Sequence, residues 1–311
     1  MSDHNIQMKK STNGVWDNLY PLSLSENIFN TEKNKNVQEM ITDIENDLAE
    51  KTAKIGSDTN TPQWLKGTLN ESLQYIDTYL RDNYIDVTKE PWNVPKTNTI
   101  DATEKLQYAL DNIPIRKTIY LPNGTYKISN PLELKRELTI VGQTVGENGG
   151  SLIEANFDGK ANGLTAFQIK STAKNSNISN IYLKNSTTDN TTVNGIGNVG
   201  DSLALTHFNM IDVWVVGFTA NFHFEKIYLS RFNRCYAING YYGFNFLGEC
   251  TSLIFDGCYG NKNTDNYRMQ GVLYSSFISC ANDGALRYGY ELTNCRGLAF
   301  VGCGVETAAE T

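Results

Sequence analysis

The chain has 311 residues, 40% of them hydrophobic and 20% charged, with a formal net charge of −7. That composition excludes a disordered chain, the absence of a basic stripe argues against nucleic acid or an anionic membrane as partner, and no window is apolar for long enough to span a bilayer. Residues 1–90 hold nine basic and fifteen acidic side chains, against eighteen and nineteen in the remainder, so nearly all the excess charge lies at the front.

The first block, 1–30, has no apolar signal-peptide core. Its text QMKKSTNGVWDNLYP contains a short strand-like start, a Thr-Asn-Gly turn and then Trp16, Leu19 and Tyr20. It is too short to bury a core of its own and is expected to dock on something larger.

Residues 31–83 are expected to be helical. Val37, Ile41, Ile44, Leu48 and Ile55 step by four and three if Lys51 fills the missing place, which is a heptad seam. Either a short parallel coiled coil between identical chains or a helix packed on its own domain satisfies it. A second helix opens at Thr61-Pro62 and carries Leu69, Leu73, Ile76 and Leu80. Residues 84–100 hold two prolines and no period, so they read as a linker.

Asp101-Ala-Thr-Glu104 has the form of a capping box. Leu106, Ala109, Leu110 and Ile113 then line one face, and Pro114 ends the helix. A short amphipathic helix at 101–113 must cover something.

From Lys117 onward the period becomes that of strands. IYLPNGTYKI (119–128) alternates, breaks at Pro-Asn-Gly and alternates again. Further on the chain repeats itself. Cys235, Cys258, Cys280 and Cys303 lie 23, 22 and 23 residues apart, and Phe232, Phe255, Phe277 and Phe300 each stand three residues before one of them. Cys250 and Cys295 are 45 apart, two such periods. Looser copies occur at Ile181/Leu183 and Val213/Val215. A repeat of this length with short strands and identical inward residues defines a β-solenoid. Phe should then stack on Phe and Cys on Cys, the thiols serving as small apolar filler. A leucine-rich repeat has similar length, but no segment fits its frame. The helix at 101–113 would cap the first coil.

Two resemblances follow from these residues. IDATEKLQYALDNI…TIYLPNGTYKISNPLELKRELTIVG resembles the opening of the pectate-lyase-like superfamily, right-handed parallel β-helices found in phage tail spikes and in polysaccharide lyases and hydrolases. The head QMKKSTNGVWDNLYP resembles tail-fibre and baseplate proteins of phages infecting Gram-positive bacteria. Together they imply a mainly β protein: a virion-attachment segment at 1–30 (Trp16, Leu19, Tyr20), a helical, coiled-coil trimerisation region at 31–83 (Val37, Ile41, Ile44, Leu48), a linker at 84–100 and a β-helix from 101 to 311. VETAAET falls in mid-coil, so the stack is expected to continue beyond 311. The implied protein is a homotrimeric fibre or spike subunit of the phage tail, assembled in the host cytoplasm. Its partners would be other tail or baseplate proteins and bacterial wall glycan or teichoic acid. No cofactor, metal, nucleic acid or membrane is expected. The calcium-binding Asp cluster and Arg base of pectate lyases have no counterpart here.

For chemistry, the position three after the column cysteine reads Ile238, Asn261, Asp283 and Glu306. Asp283 and Glu306 on adjacent coils would be the carboxylate pair that glycan hydrolysis requires; the bland alternative is a pair of solvated turn residues. His207 and His223 fit no nucleophile spacing. Tyrosines crowd the last coils, and Tyr259, Tyr267, Tyr288 and Tyr290 are the candidates for sugar contact, since a phenol offers a flat face and one hydroxyl. The main expectation is a non-enzymatic structural and receptor-binding part, and the alternative is a wall-polysaccharide or teichoic-acid depolymerase.

Overall fold

The computed structural model describes residues 8–12, 15–19, 46, 71, 73, 84–146 and 149–306. The chain divides into two compact units, Met1–Tyr79 and Leu80–Thr311.

In the first unit β1 (Met8–Thr12) pairs antiparallel with β2 (Val15–Leu19), Thr12 opposite Val15. Asn13-Gly14 separates them in sequence, the dipeptide that favours two-residue hairpins. The backbone of Trp16 and Leu19 lies on β2, while Tyr20 and the proposed seam of Val37, Ile41, Ile44 and Leu48 lie outside the described residues. Asn46, Glu71 and Leu73 are helical.

The second unit is a parallel β-helix with two walls. One is a 15-stranded sheet folded along a corner, the other an eight-stranded sheet of longer strands. The corner explains the Phe-x-x-Cys spacing. In a straight strand, residues three apart face opposite ways. Here a residue in left-handed geometry stands between each pair of short strands, Arg234, Gly257, Ser279 and Gly302 having φ of 48°, 59°, 50° and 63°, and Asp212 bends the continuous strand Asn209–Val216 in the same way with φ of 53°. That bend resets the alternation, so Phe232 and Cys235 both point inward and are both fully buried. Glycine takes this place at 257 and 302 without a Cβ penalty. The bend does not orphan its amide. Arg234 N donates to Asp256 O (2.8 Å), Gly257 N to Ile278 O (2.9 Å) and Ser279 N to Val301 O (2.8 Å), each one coil on.

The expected ladder forms. Phe232, Phe255, Phe277 and Phe300 are register partners. Their rings stack at 5.1, 4.7 and 4.7 Å with interplanar angles of 11°, 1° and 6°. Each thiol donates back to the ring-bearing residue one coil earlier: Cys258 Sγ to Phe232 O (3.2 Å), Cys280 Sγ to Phe255 O (3.4 Å) and Cys303 Sγ to Phe277 O (3.3 Å). A second ladder escaped the sequence reading. Phe222, Phe244, Tyr267 and Tyr290 stack at 4.8, 4.8 and 4.7 Å on the long wall. At a further bend, buried asparagines satisfy one another and the backbone. Asn221 Nδ2 donates to Asn263 Oδ1 (3.0 Å), and Asn263 Nδ2 to Asn266 Oδ1 (2.6 Å) and Ala237 O (2.8 Å).

Helix α1 (Thr103–Asn112) closes the first coil with Leu106, Ala109 and Leu110. An apolar cavity of about 10 Å³ lies beneath it, lined by Leu106, Leu110, Ile119 and Phe167 among others. Gln107 acts as a surrogate strand partner. Its Nε2 donates to Glu133 O (3.0 Å) and its Oε1 accepts from Glu133 N (2.7 Å), satisfying an edge that would otherwise be open.

Two expectations are corrected. The capping box is not made: Asp101 Oδ1 accepts from Thr103 N (2.8 Å) and Thr103 Oγ1, and its Oδ2 accepts from Ser129 Oγ. The aspartate is thus drawn toward the coil and does not cap the third amide. Residues 84–100 are not a mere linker. β3 (Tyr84–Asp86) pairs in parallel with β4 (Thr118–Leu121), and Val87 and Val94 are buried in the core.

Candidate functional site

Beyond the corner, the outward residue of each coil lies directly after the inward Cys or its equivalent. Those residues are Tyr182, Trp214, Tyr236 and Tyr259, aligned by strand register. Their rings form one stripe across four coils. Trp214 stacks on Tyr236 at 5.0 Å and 18°, and Tyr182–Trp214 and Tyr236–Tyr259 meet edge to face at 6.2 and 5.4 Å. Tyr182 is buried, while Trp214, Tyr236 and Tyr259 are half-buried. Sequence reading missed Trp214, although it stands one residue after the inward Val213, as Tyr236 and Tyr259 do after Cys235 and Cys258.

The next outward column carries the polar chemistry: Ile238, Asn261, Asp283 and Glu306. Asp283 and Glu306 are register partners on neighbouring strands, Cα atoms about 4.8 Å apart. Asp283 is half-buried and Glu306 exposed. Tyr259 joins the columns: Asn261 Nδ2 donates to Tyr259 Oη (2.7 Å), and Tyr259 Oη donates to Asp283 Oδ2 (3.0 Å). Burial, and then the Asp283 hydrogen bond and charge, hold the Tyr259 phenol above its ordinary pKa. The proton therefore stays on the phenol, and Asp283 is oriented as an acceptor. The face offers flat rings, an oriented carboxylate, an amide and a second, solvated carboxylate.

The four candidate tyrosines separate. Tyr259 lies on this face. Tyr288 is exposed, but on the long wall, beneath the Arg287 guanidinium at 4.9 Å. Tyr267 is fully buried, and its hydroxyl donates to Cys258 O (2.9 Å) and Ala281 O (3.2 Å), so it cannot meet a glycan. Tyr290 is the half-buried next rung on the same inward ladder. Both carry their hydroxyls inside because main-chain carbonyls there accept them. Among the described residues no helix is long and apolar enough to cross a membrane.

Stacked coils of parallel strands under a helical cap make this unit a parallel β-helix. A sequence-family profile described as "Rhamnogalacturonase A/epimerase, pectate lyase-like" matches residues 93–199, and the coils continue to Glu306. No curated protein sequence matches the chain. Among solved structures, Geobacillus virus E2 ORF18 superposes with a TM-score of 0.55 at 14% identity, covering 96% of this chain and 58% of that one. The phiAB6 tailspike, solved in complex with oligosaccharides of Acinetobacter baumannii surface polysaccharide, gives 0.54 at 18%, covering 75% and 49%. The Agl-KA catalytic domain gives 0.50 at 14%, covering 73% and 48%. The chain thus spans about half the length of these proteins.

Proposed function

We propose that this chain is a subunit of a bacteriophage tail spike or tail fibre whose coil stack contacts a bacterial surface glycan. The observation that carries the reading is the Trp214–Tyr236–Tyr259 stripe beside Asn261, Asp283 and Glu306. Aromatic faces next to directional polar groups are how proteins hold sugar rings. Likeness in fold to a viral protein and to a glycan-bound tailspike supports it. Residues 1–30, with Trp16, Leu19 and Tyr20, would attach to the tail or baseplate of the virion. Residues 31–83 would trimerise through Val37, Ile41, Ile44 and Leu48. The glycan would be a wall polysaccharide or teichoic acid.

The alternative reading, a depolymerase, has one observation in its favour. Asp283 is oriented by Tyr259, and its register partner on the next strand is Glu306, so two carboxylates share one outward column as glycoside hydrolysis requires. Incubation with purified wall polymer separates the two. Binding lost in Trp214→Ala, with no release of reducing ends or phosphate, supports the adhesin. Release abolished by Asp283→Ala/Glu306→Ala supports the enzyme. Absence of both binding and release rejects the glycan reading, and a monomeric mass in solution rejects the trimer.

A further inference from the structure

The long wall carries a second outward cluster that the Trp214 face does not use. Tyr242, Asp265 and Tyr288 align as one column, and Asn245, Arg268 and Glu291 as the next. Arg268 lies 4.7 Å over the Tyr242 ring, with Nε 3.2 Å from Glu291 Oε2. Arg287 clasps the fully buried Asp265 with two nitrogens, Nε at 2.9 Å from Oδ1, and lies over the Tyr288 ring. Tyr288 N donates to the same Asp265 oxygen at 3.3 Å. Bidentate pairing and cation–π contact hold both guanidinium planes in fixed orientations.

One further fact points to a ligand and not to a stabilising surface network alone. Tyr288 is 49% exposed with its ring already backed by Arg287, so it is a rigid apolar plate facing water. Charge decides the ligand class. Arg268 and Arg287 are matched by Asp265 and Glu291, so the cluster holds no excess charge for a polyanion. What it offers is planar guanidinium donors and tyrosine faces. That combination suits a ring with a C–H face and a hydroxyl edge.

We propose that this cluster is a second carbohydrate subsite, selective for a neutral hexopyranose of the surface glycan and separate from the Trp214 face. The proposal rests on the glycan-binding reading above. The test begins with the unmodified chain on a printed array of bacterial surface polysaccharides. Oligosaccharides of the bound glycan are then titrated into Tyr288→Ala, Arg268→Gln and Trp214→Ala chains, with melting curves alongside. Expected are a loss of about tenfold in affinity for Tyr288→Ala and Arg268→Gln at unchanged melting temperature, and slowed amide exchange over Asp265–Leu273 and Tyr288–Thr293 when glycan is added to the unmodified chain. The exchange measurement decides the matter if Arg268→Gln fails to fold. Full affinity in both long-wall variants with loss in Trp214→Ala overturns the second subsite and leaves the first reading standing. Binding confined to anionic glycans overturns the neutral-sugar assignment. Failure of the unmodified chain to bind any printed glycan removes both readings.

Discussion

Tyr259 donates its hydroxyl to Asp283 Oδ2 across one coil step, at 3.0 Å. The phenol is held above its ordinary pKa by burial and then by this bond. Asp283→Asn removes the acceptor charge, so the Tyr259 phenol should ionise at lower pH than in the unmodified chain. Tyrosinate absorbance during alkaline titration, with Tyr259→Phe identifying the signal, reads the shift. An unchanged curve would show that the bond does not persist in solution.

The Phe ladder predicts a gradient of mutational cost. Phe255 is fully buried between the rings of Phe232 and Phe277, whereas Ile278, one residue after Phe277, faces outward and is 37% exposed. Phe255→Ala should destabilise by about 3–5 kcal/mol. Ile278→Ala should cost clearly less. Denaturant midpoints of the two variants check the order, and equal losses would contradict internal stacking.

Acid should weaken the fold through His223. Burial lowers its pKa from 6.5, against an upward pull from Glu225 and with a still smaller lowering from the Arg268 charge. Neither ring nitrogen has a hydrogen-bond partner among the described residues. A base whose folded pKa is depressed binds fewer protons folded than unfolded, so its contribution is present above pH 6.5 and declines as pH falls below it. His223→Gln should flatten the stability-against-pH curve in that window. A slope identical to that of the unmodified chain would assign acid sensitivity to other groups.

The thiols inside the coils should be shielded from reagents in solution. Burial pushes the Cys250 thiol up to about 12. Cys258 is raised by burial, and Cys280 by its hydrogen bond to Cys258 and by burial. Cys235 is also fully buried. An aromatic disulfide reagent should therefore leave Cys235, Cys250, Cys258 and Cys280 unlabelled in the native chain and react with them only after denaturation. Rapid native labelling of Cys258 would show that the stack opens.

The inward Phe and Cys positions were legible because identical residues recur at one spacing and each recurrence must pack on the last. Tyr267 and Tyr290 were misread for a related reason. Composition marks tyrosine as a surface residue, yet their places in the period match Phe222 and Phe244, and carbonyls inside the coil accept their hydroxyls. Aligning the tyrosines on the cysteine period would have assigned them inward and brought out Trp214. Pairing of β3 with β4 depends on contacts more than thirty residues apart, which no local pattern in 84–100 encodes. Asp101 was drawn off its cap by Ser129, a partner 28 residues away.

Because a left-handed residue turns each corner, inner rungs and outer columns occupy alternate positions of the same short strands. Substitution at Tyr236 or Asn261 changes what the wall displays without disturbing Phe232 or Cys258 beneath. Recognition can therefore diversify one coil at a time, at a pitch near 4.8 Å, while the supporting stack is inherited intact.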